Sequence, residues 1–209
     1  TSQILEAFND KASFDGFDAI LSVSPYYNRP SQEGIYEHFK ALALTAPLPI
    51  VMYNVPARTG SNMSPETVIR LANDFETIIG IKEAAGDIVQ AMRLLKDRPK
   101  DFLVLSGDDM LALPLATAGG DGVISVIGQG LPTSFSQMMN YGLEGDIVNA
   151  NPLHYQLMPA IDLIFEEGNP AGIKSLLSHQ GVCKPYVRLP LVKATQSLDQ
   201  KIKKYLSAL

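Results

Sequence analysis

The chain lacks several features that would place it in common classes of protein. Its 209 residues include one cysteine, Cys183, no tryptophan and only three histidines. A single cysteine excludes both an intrachain disulfide and a zinc site built from several thiolates. No apolar run reaches the 18 or so residues of a membrane-spanning helix, and no signal-peptide pattern opens the chain. We therefore expect a cytoplasmic protein that does not associate with a membrane.

Basic residues are fewer than acidic ones, which bears on possible partners. The formal net charge is -5 and the isoelectric point is near 5.2. Proteins that bind nucleic acid usually carry a basic face, so we expect no nucleic-acid partner. With 46% hydrophobic and 19% charged residues, the composition is that of a globular protein with a sizeable core.

Strand-like apolar runs alternate with helical patterns over the first two thirds of the chain, and this order predicts a parallel α/β fold. Beyond residue 131 the pattern is purely helical. Ser31 and Ser64 stand where they would cap helices, and Asp108 or Asp109 would cap a later one. The predicted strands cover residues 19–24, 49–53, 78–82, 102–106 and 122–126.

Repeated strand–helix units fit either an open sheet or a barrel. No Gly-x-Gly-x-x-Gly follows any strand, so the commonest dinucleotide-binding signature is absent. The chemically interesting residues lie at the carboxyl ends of several strands, as in an eight-stranded TIM barrel. Such a barrel needs about 250 residues, and only five units are visible. We expect a (β/α)8 barrel that lacks roughly its first three units here, with the later barrel in residues 1–145 and a helical extension in residues 146–209.

Lys82 is the strongest catalytic candidate, because it ends an apolar strand in which Gly80 would leave room on the same face. Loss of hydration lowers the pKa of such an amine and frees it to attack a carbonyl. A lysine at a strand end can also simply extend to solvent. Tyr53 ends the preceding strand and could relay protons, although it could equally be a core tyrosine. Arg58 follows in a loop at the same edge, where its guanidinium suits a carboxylate, or serves only as a surface cation.

Several motifs together resemble the dihydrodipicolinate synthase family of pyruvate-dependent class I aldolases. The resemblance covers essentially the whole chain, in the family's order and spacing. Its motifs are Ser24–Pro30, Tyr53–Gly60, Gly80–Ala84, Leu105–Asp109 and Gly122–Val126, followed by Asn169–Pro170 and Arg188–Pro190.

The resemblance implies a lyase that condenses pyruvate with aspartate semialdehyde in the diaminopimelate route to lysine. It implies that Lys82 forms a Schiff base with pyruvate, that Tyr53 relays protons, and that Arg58 binds the carboxylate of the semialdehyde. It also implies a homotetramer built as a dimer of dimers and no metal or organic cofactor. The resemblance also implies that Tyr27 completes the proton relay in a neighbouring subunit and that Tyr26 lies at the dimer interface, near a possible lysine site. It implies that Gly107 and Ile124 line the pyruvate pocket.

The chain departs from the family pattern in one respect. The family's Gly-Thr-Thr-Gly-Glu segment, whose threonines hold the pyruvate carboxylate and link the relay tyrosines, does not occur in it. We therefore expect residues 1–209 alone to be inactive.

Two other assignments stay open: a sister enzyme such as N-acetylneuraminate lyase or a keto-deoxy-sugar-acid aldolase, and a truncated paralogue that acts as a non-catalytic binding subunit. Arg58 favours the synthase over the sugar-specific enzymes.

Overall fold

A five-stranded parallel sheet organises the first part of the chain. The computed structural model describes residues 1–209, and its strands are hydrogen-bonded in chain order, each parallel to the next. All five predicted strands are therefore confirmed. The strands are β1 Ile20–Val23, β2 Ile50–Asn54, β3 Ile78–Glu83, β4 Leu103–Ser106 and β5 Gly122–Val123.

β5 is shorter than the sequence predicts. It ends at Val123, whereas the apolar run continues to Val126. The chain turns immediately afterwards, and the Ser125 hydroxyl accepts a hydrogen bond from the backbone N–H of Gly128 at 2.8 Å. Apolar composition alone could not distinguish a continuing strand from a turn of this kind.

Helices follow each of the first four strands, and the region after β5 is helical as predicted. Two short 3-10 turns, at Lys11–Phe14 and Ile127–Gln129, accompany them. The α-helices are α1 Ser2–Ala7, α2 Gln32–Ala43, α3 Pro56–Thr59, α4 Pro65–Asp74, α5 Ile88–Asp97, α6 Ala112–Thr117, α7 Pro132–Leu143, α8 Ile147–Phe165, α9 Ala171–His179 and α10 Gln196–Leu206.

Side-chain caps fix where the helices of the sheet region begin. The hydroxyl of Ser31 accepts the backbone N–H of Gly34, and that of Ser64 accepts the N–H of Thr67, so both predicted caps are confirmed. The prediction that Asp108 or Asp109 caps the next helix is wrong. The N-cap of α6 is Leu111, which has no side-chain bond, because the turn that Asp108 stabilises comes before the helix rather than at its first residue.

The core lies between one face of the sheet and the helices. Side chains alternate along a strand, so Met52, Ile81 and Val104 point together into this layer and are fully buried. Burying a side chain of this size contributes about 1.5–3 kcal/mol. The opposite face of the sheet is more open: Leu21 and Leu103 are 45% and 37% exposed. The half-buried Tyr53 and Lys82 belong to this open face.

The chain divides into two compact units, Thr1–Ile124 and Ser125–Leu209. The first contains the whole sheet and helices α1–α6, and the second contains α7–α10. The division expected from the sequence at residue 145 groups α7 with the barrel strands, whereas here α7 belongs to the same compact unit as α8–α10. Every site residue predicted from the sequence lies in the first unit.

None of the helices combines the length and apolar character needed to cross a membrane.

Candidate active site

Lys82 and Tyr53 lie side by side at the carboxyl ends of adjacent strands. They are register partners between β3 and β2, so both side chains leave the same face of the sheet. The Lys82 Nζ atom lies 4.4 Å from the centre of the Tyr53 ring. The structure thus brings the predicted nucleophile and the predicted proton-relay group together.

Three influences act on the Lys82 amine, and their balance lowers its pKa. Partial burial has the largest effect, because it strips hydration from the ammonium form. The Asp109 carboxylate opposes this effect by favouring the charged form, and the Arg58 guanidinium reinforces it by like-charge repulsion. More of the amine is therefore neutral at a given pH than for a solvated lysine.

Gly107 gives the lysine side chain the space that it occupies. A Cβ atom built on Gly107 would lie 2.9 Å from Cε and 3.0 Å from Cγ of Lys82, and 2.6 Å from the Cβ atom of Ala84. The separations from Cε of Lys82 and Cβ of Ala84 are shorter than real Cβ contacts, and all three are well below the optimum of about 3.5–4.0 Å for two carbon atoms. The residue that follows β4 must therefore be glycine if Lys82 is to keep this conformation.

The loop after β2 carries Arg58 at the same edge of the sheet. Arg58 lies in α3, a single turn that ends at Gly60 with φ of 72°, a conformation that favours glycine. The side chain of Arg58 is solvent-exposed, and its charge lowers the pKa of Tyr53 against a larger rise caused by burial of the phenol. Arg58 is therefore within electrostatic range of both Tyr53 and Lys82 and remains accessible to a ligand.

The other predicted site residues lie at the periphery of this group. The backbone N–H of Ile124 donates to the carbonyl of Ser106 at 2.9 Å, which holds Ile124 beside the end of β4. Tyr26 and Tyr27 follow β1 and are 66% and 90% exposed. Tyr27 also has a positive φ of 67°, which is uncommon for a bulky side chain. The structure therefore does not bring Tyr27 against Lys82 or Tyr53 of its own chain.

Sequence reasoning missed two acidic residues that bear on the site. Asp109 was interpreted as a helix cap, but it is 2% exposed and its charge acts on Lys82. The Glu83 side chain leaves β3 on the face opposite to that of Lys82, and its carboxylate is buried in a network of amide groups. The only signal in the sequence that places Asp109 near the site is its position three residues beyond the end of β4.

No group of three or more His, Cys, Asp or Glu side chains is arranged to hold a metal ion.

Comparisons with known proteins give a consistent result. The family model described as the dihydrodipicolinate synthetase family matches residues 5–209. The 4-hydroxy-tetrahydrodipicolinate synthase of Flavobacterium psychrophilum is 56% identical over 202 residues, which is 97% of this chain and 69% of that protein. Other curated relatives are matched over 64–66% of their length, so the chain spans about two thirds of the proteins that it resembles.

Two solved structures extend the comparison to the fold. The dihydrodipicolinate synthase of Thermotoga maritima has a TM-score of 0.95 at 37% identity, covering 99% of this chain and 71% of that one. The enzyme of Acinetobacter baumannii, solved in complex with pyruvate, has a TM-score of 0.91 at 37% identity, covering 97% of this chain and 70% of that one. The fold class predicted from the sequence, a TIM barrel followed by C-terminal helices, is confirmed for the part that this chain covers. The chain belongs to the dihydrodipicolinate synthetase family.

Proposed function

We propose that this chain forms the greater part of a 4-hydroxy-tetrahydrodipicolinate synthase, a lyase of diaminopimelate and lysine biosynthesis. The observation that carries the proposal is the placement of the Lys82 amine. It is partly desolvated, has a lowered pKa and lies against the Tyr53 ring in space left by Gly107. A neutral amine in such a pocket is the nucleophile that a Schiff-base aldolase requires.

The proposed reaction begins when the neutral Lys82 amine attacks the keto carbon of pyruvate. The resulting carbinolamine loses water to form an imine, and loss of a methyl proton then gives an enamine. The enamine carbon bonds to the aldehyde carbon of aspartate semialdehyde. The amino group of that substrate then displaces Lys82 from the imine carbon, which closes the ring and regenerates the free lysine. Tyr53 is positioned to transfer protons in the dehydration and enamine steps.

Arg58 supports the choice of the second substrate. Its exposed guanidinium lies within electrostatic range of the reacting amine and can form two charge-assisted hydrogen bonds to a carboxylate. A short aldehyde that carries a carboxylate fits this arrangement, whereas a polyhydroxylated sugar acid would need hydrogen-bonding groups of a different kind. The pyruvate complex of the Acinetobacter relative supports pyruvate as the first substrate.

The proposal extends to assembly and to cellular location. The exposed Tyr27 would reach its functional position only against another subunit, which supports a dimer as the minimal active unit and a homotetramer as a dimer of such dimers. Tyr26 would lie in the same dimer interface. The single cysteine supports a reducing, cytoplasmic setting.

Reductive trapping tests this function directly. The protein as its gene encodes it is incubated with pyruvate and borohydride, and the intact mass and the modified peptide are determined by mass spectrometry. We expect one reduced pyruvyl group on Lys82, lost in Lys82→Ala and retained in Lys96→Ala, whose lysine is 78% exposed. Absence of an adduct on Lys82 would contradict the proposal. Residues 1–209 alone should trap little pyruvate, because the expected carboxylate anchor is not among them.

A further inference from the structure

The Glu83 carboxylate is buried directly behind the candidate nucleophile. Glu83 is 5% exposed, and its side chain leaves β3 on the face opposite to that of Lys82. No lysine or arginine pairs with it. Burial raises its pKa, and hydrogen bonds from Asn54, Gln90 and the backbone of Ala85 oppose that rise. A buried carboxylate without a cation is costly unless its oxygen atoms are well bonded.

Every group that forms a hydrogen bond with this carboxylate is a donor, and the like charge of Asp87 adds to the rise in its pKa. The Asn54 side-chain amide lies 3.1 Å and 3.0 Å from the two carboxylate oxygens. The backbone N–H of Ala85 donates at 2.7 Å, and the Gln90 amide donates at 3.0 Å. A carboxylate can accept all of these bonds, whereas a glutamine at this position would direct its own amide donor at one of them.

The same amides continue into the loop that carries Arg58. Asn62 exchanges hydrogen bonds with Gln90, at 2.7 Å and 3.2 Å, and accepts one from Asn54 at 2.8 Å. The Asn54 oxygen in turn accepts the backbone N–H of Met63 at 3.0 Å. We call Glu83, Asn54, Asn62 and Gln90 the amide network.

Each part of the candidate active site is attached to this network through the neighbouring backbone. Tyr53 precedes Asn54, and Lys82 precedes Glu83. The carbonyl of Glu83 accepts the backbone N–H of Gly107 at 2.7 Å. Asn62 closes the loop that begins after Asn54 and contains Arg58. Strand ends that are otherwise joined only by the sheet thus share one buried carboxylate.

We propose that Glu83 is a positioning residue, which holds Lys82, Tyr53 and the Arg58 loop in their reactive arrangement through the amide network. This inference rests on the proposed function. Glu83 does not touch the reacting atoms, because its side chain lies on the other face of β3. Its effect is on geometry, and misplacement by about 1 Å can slow an enzymatic step roughly 100-fold.

The test separates the number of folded sites from the rate at each site. In Glu83→Gln, pyruvate capture at Lys82 is followed over time at saturating pyruvate with borohydride present. A loss of folded protein would reduce the final amount of adduct and leave the rate constant unchanged. Loss of positioning reduces the rate constant, and we expect a fall of about tenfold or more with full final modification. An unchanged rate constant, or a loss confined to the final amount, would overturn the inference.

Two further variants make the result independent of general destabilisation. Tyr36→Phe removes the 2.7 Å hydrogen bond from the Tyr36 hydroxyl to Asp74, which joins α2 and α4. We expect it to lower stability without changing the capture rate. If Glu83→Gln does not fold, Gln90→Met removes a single donor from the carboxylate and keeps its charge. We then expect a smaller fall in the rate constant, roughly threefold, and an unchanged value would count against the inference.

A substrate-free measurement distinguishes failure of this inference from failure of the proposed function. If the unsubstituted protein captures no pyruvate, the proposed function fails and the positioning role is tested by acetylation of Lys82 across a pH range, with Lys96 as the reference. Displacement of Lys82 from its partly desolvated site should raise the midpoint of its acetylation profile in Glu83→Gln above the midpoint in the unsubstituted protein. Identical midpoints in the two proteins would overturn the inference.

Discussion

The Lys82 ammonium nitrogen lies 4.4 Å from the centre of the Tyr53 ring, on adjacent strands in direct register. The face of an aromatic ring attracts a cation and so favours the protonated lysine. Lost hydration favours the neutral amine instead. The pKa of Lys82 is lowered overall, with burial as the largest cause, so desolvation outweighs the attraction of Asp109 at this position. The site therefore holds the side chain in place and favours its neutral form more than water does.

The lowered pKa predicts how pyruvate capture depends on pH. The neutral amine is the reactive form, so the capture rate should rise with pH and level off once Lys82 is deprotonated. Because the pKa lies below the ordinary lysine value of 10.5, the midpoint should also lie below 10.5. The measurement is the initial rate of borohydride-trapped adduct at a series of pH values. A midpoint at or above 10.5 would contradict the lowered pKa and the dominance of desolvation at this amine.

Arg58→Ala should separate the two substrates. Loss of a hydrogen-bonded charge in a binding site costs about 1.5–3 kcal/mol, so the KM for aspartate semialdehyde should rise about 10- to 100-fold. Pyruvate capture at Lys82 should persist when it is measured at a pH where the amine is neutral in both proteins. That precaution is needed because Arg58 itself lowers the pKa of Lys82.

Arg58→Lys is the matched control for this prediction. It restores the charge but not the planar pair of donors that binds both oxygens of a carboxylate. We expect it to recover only part of the affinity. Equal KM values for the semialdehyde in all three proteins would show that Arg58 does not bind this substrate.

Gly107→Ala should slow capture by displacing the lysine. The new Cβ atom would lie 2.9 Å from the Lys82 Cε atom and 2.6 Å from the Ala84 Cβ atom, so the neighbouring side chains must move. Overpacking of this kind typically costs about 1–3 kcal/mol, and we expect a roughly tenfold or greater loss of capture rate. The double variant Ala84→Gly/Gly107→Ala removes the shorter contact and should recover part of the rate. A normal rate in the single variant would show that the pocket has spare room.

The sequence predicts the strands and the orientation of Lys82 because both depend on local rules. Alternation along β3 sends Lys82 and Glu83 to opposite faces whatever the rest of the fold does. The Ser31 and Ser64 caps are similarly local, since each involves a backbone N–H three residues later. The wrong assignment of Asp108 shows the limit of such rules, because an aspartate before a helix can bond within the preceding turn instead.

The amide network could not be predicted in this way. The bonds that join its two segments connect residues 28 and 29 positions apart in the chain, Asn62 with Gln90 and Asn54 with Glu83. Nothing in the composition of either segment specifies the other as its partner. The pairing follows from the register between β2 and β3, which only the folded sheet defines.

Tyr27→Phe should slow turnover without changing stability. The side chain is 90% exposed, and substitutions at such surface positions usually change the free energy of unfolding by less than about 0.5 kcal/mol. Its proposed role lies in the active site of another subunit, so a mixture with Lys82→Ala provides a specific test. Mixed dimers of these two variants would contain one site with both Lys82 and Tyr27 intact. We expect the mixture to be more active than the sum of the two separate proteins, and turnover at the normal rate in Tyr27→Phe alone would exclude the residue from the relay.

His38 should make the protein less stable in mild acid. His38 is 5% exposed, and its Nε2 atom has no hydrogen-bond partner. Burial, reinforced by the positive charge of the amino terminus of the chain, lowers its pKa from 6.5 to about 4. Between these values the unfolded chain binds more protons than the folded one, so the free energy of unfolding increases with pH and falls as the pH drops below 6.5. At pH 5 this contribution amounts to a loss of at most about 2 kcal/mol. Urea unfolding at pH 7.5 and pH 5.0 measures this loss of stability. In His38→Leu the free energies of unfolding at the two pH values should differ by less than in the unsubstituted protein. An equal loss of stability in both proteins would assign the acid sensitivity to other groups.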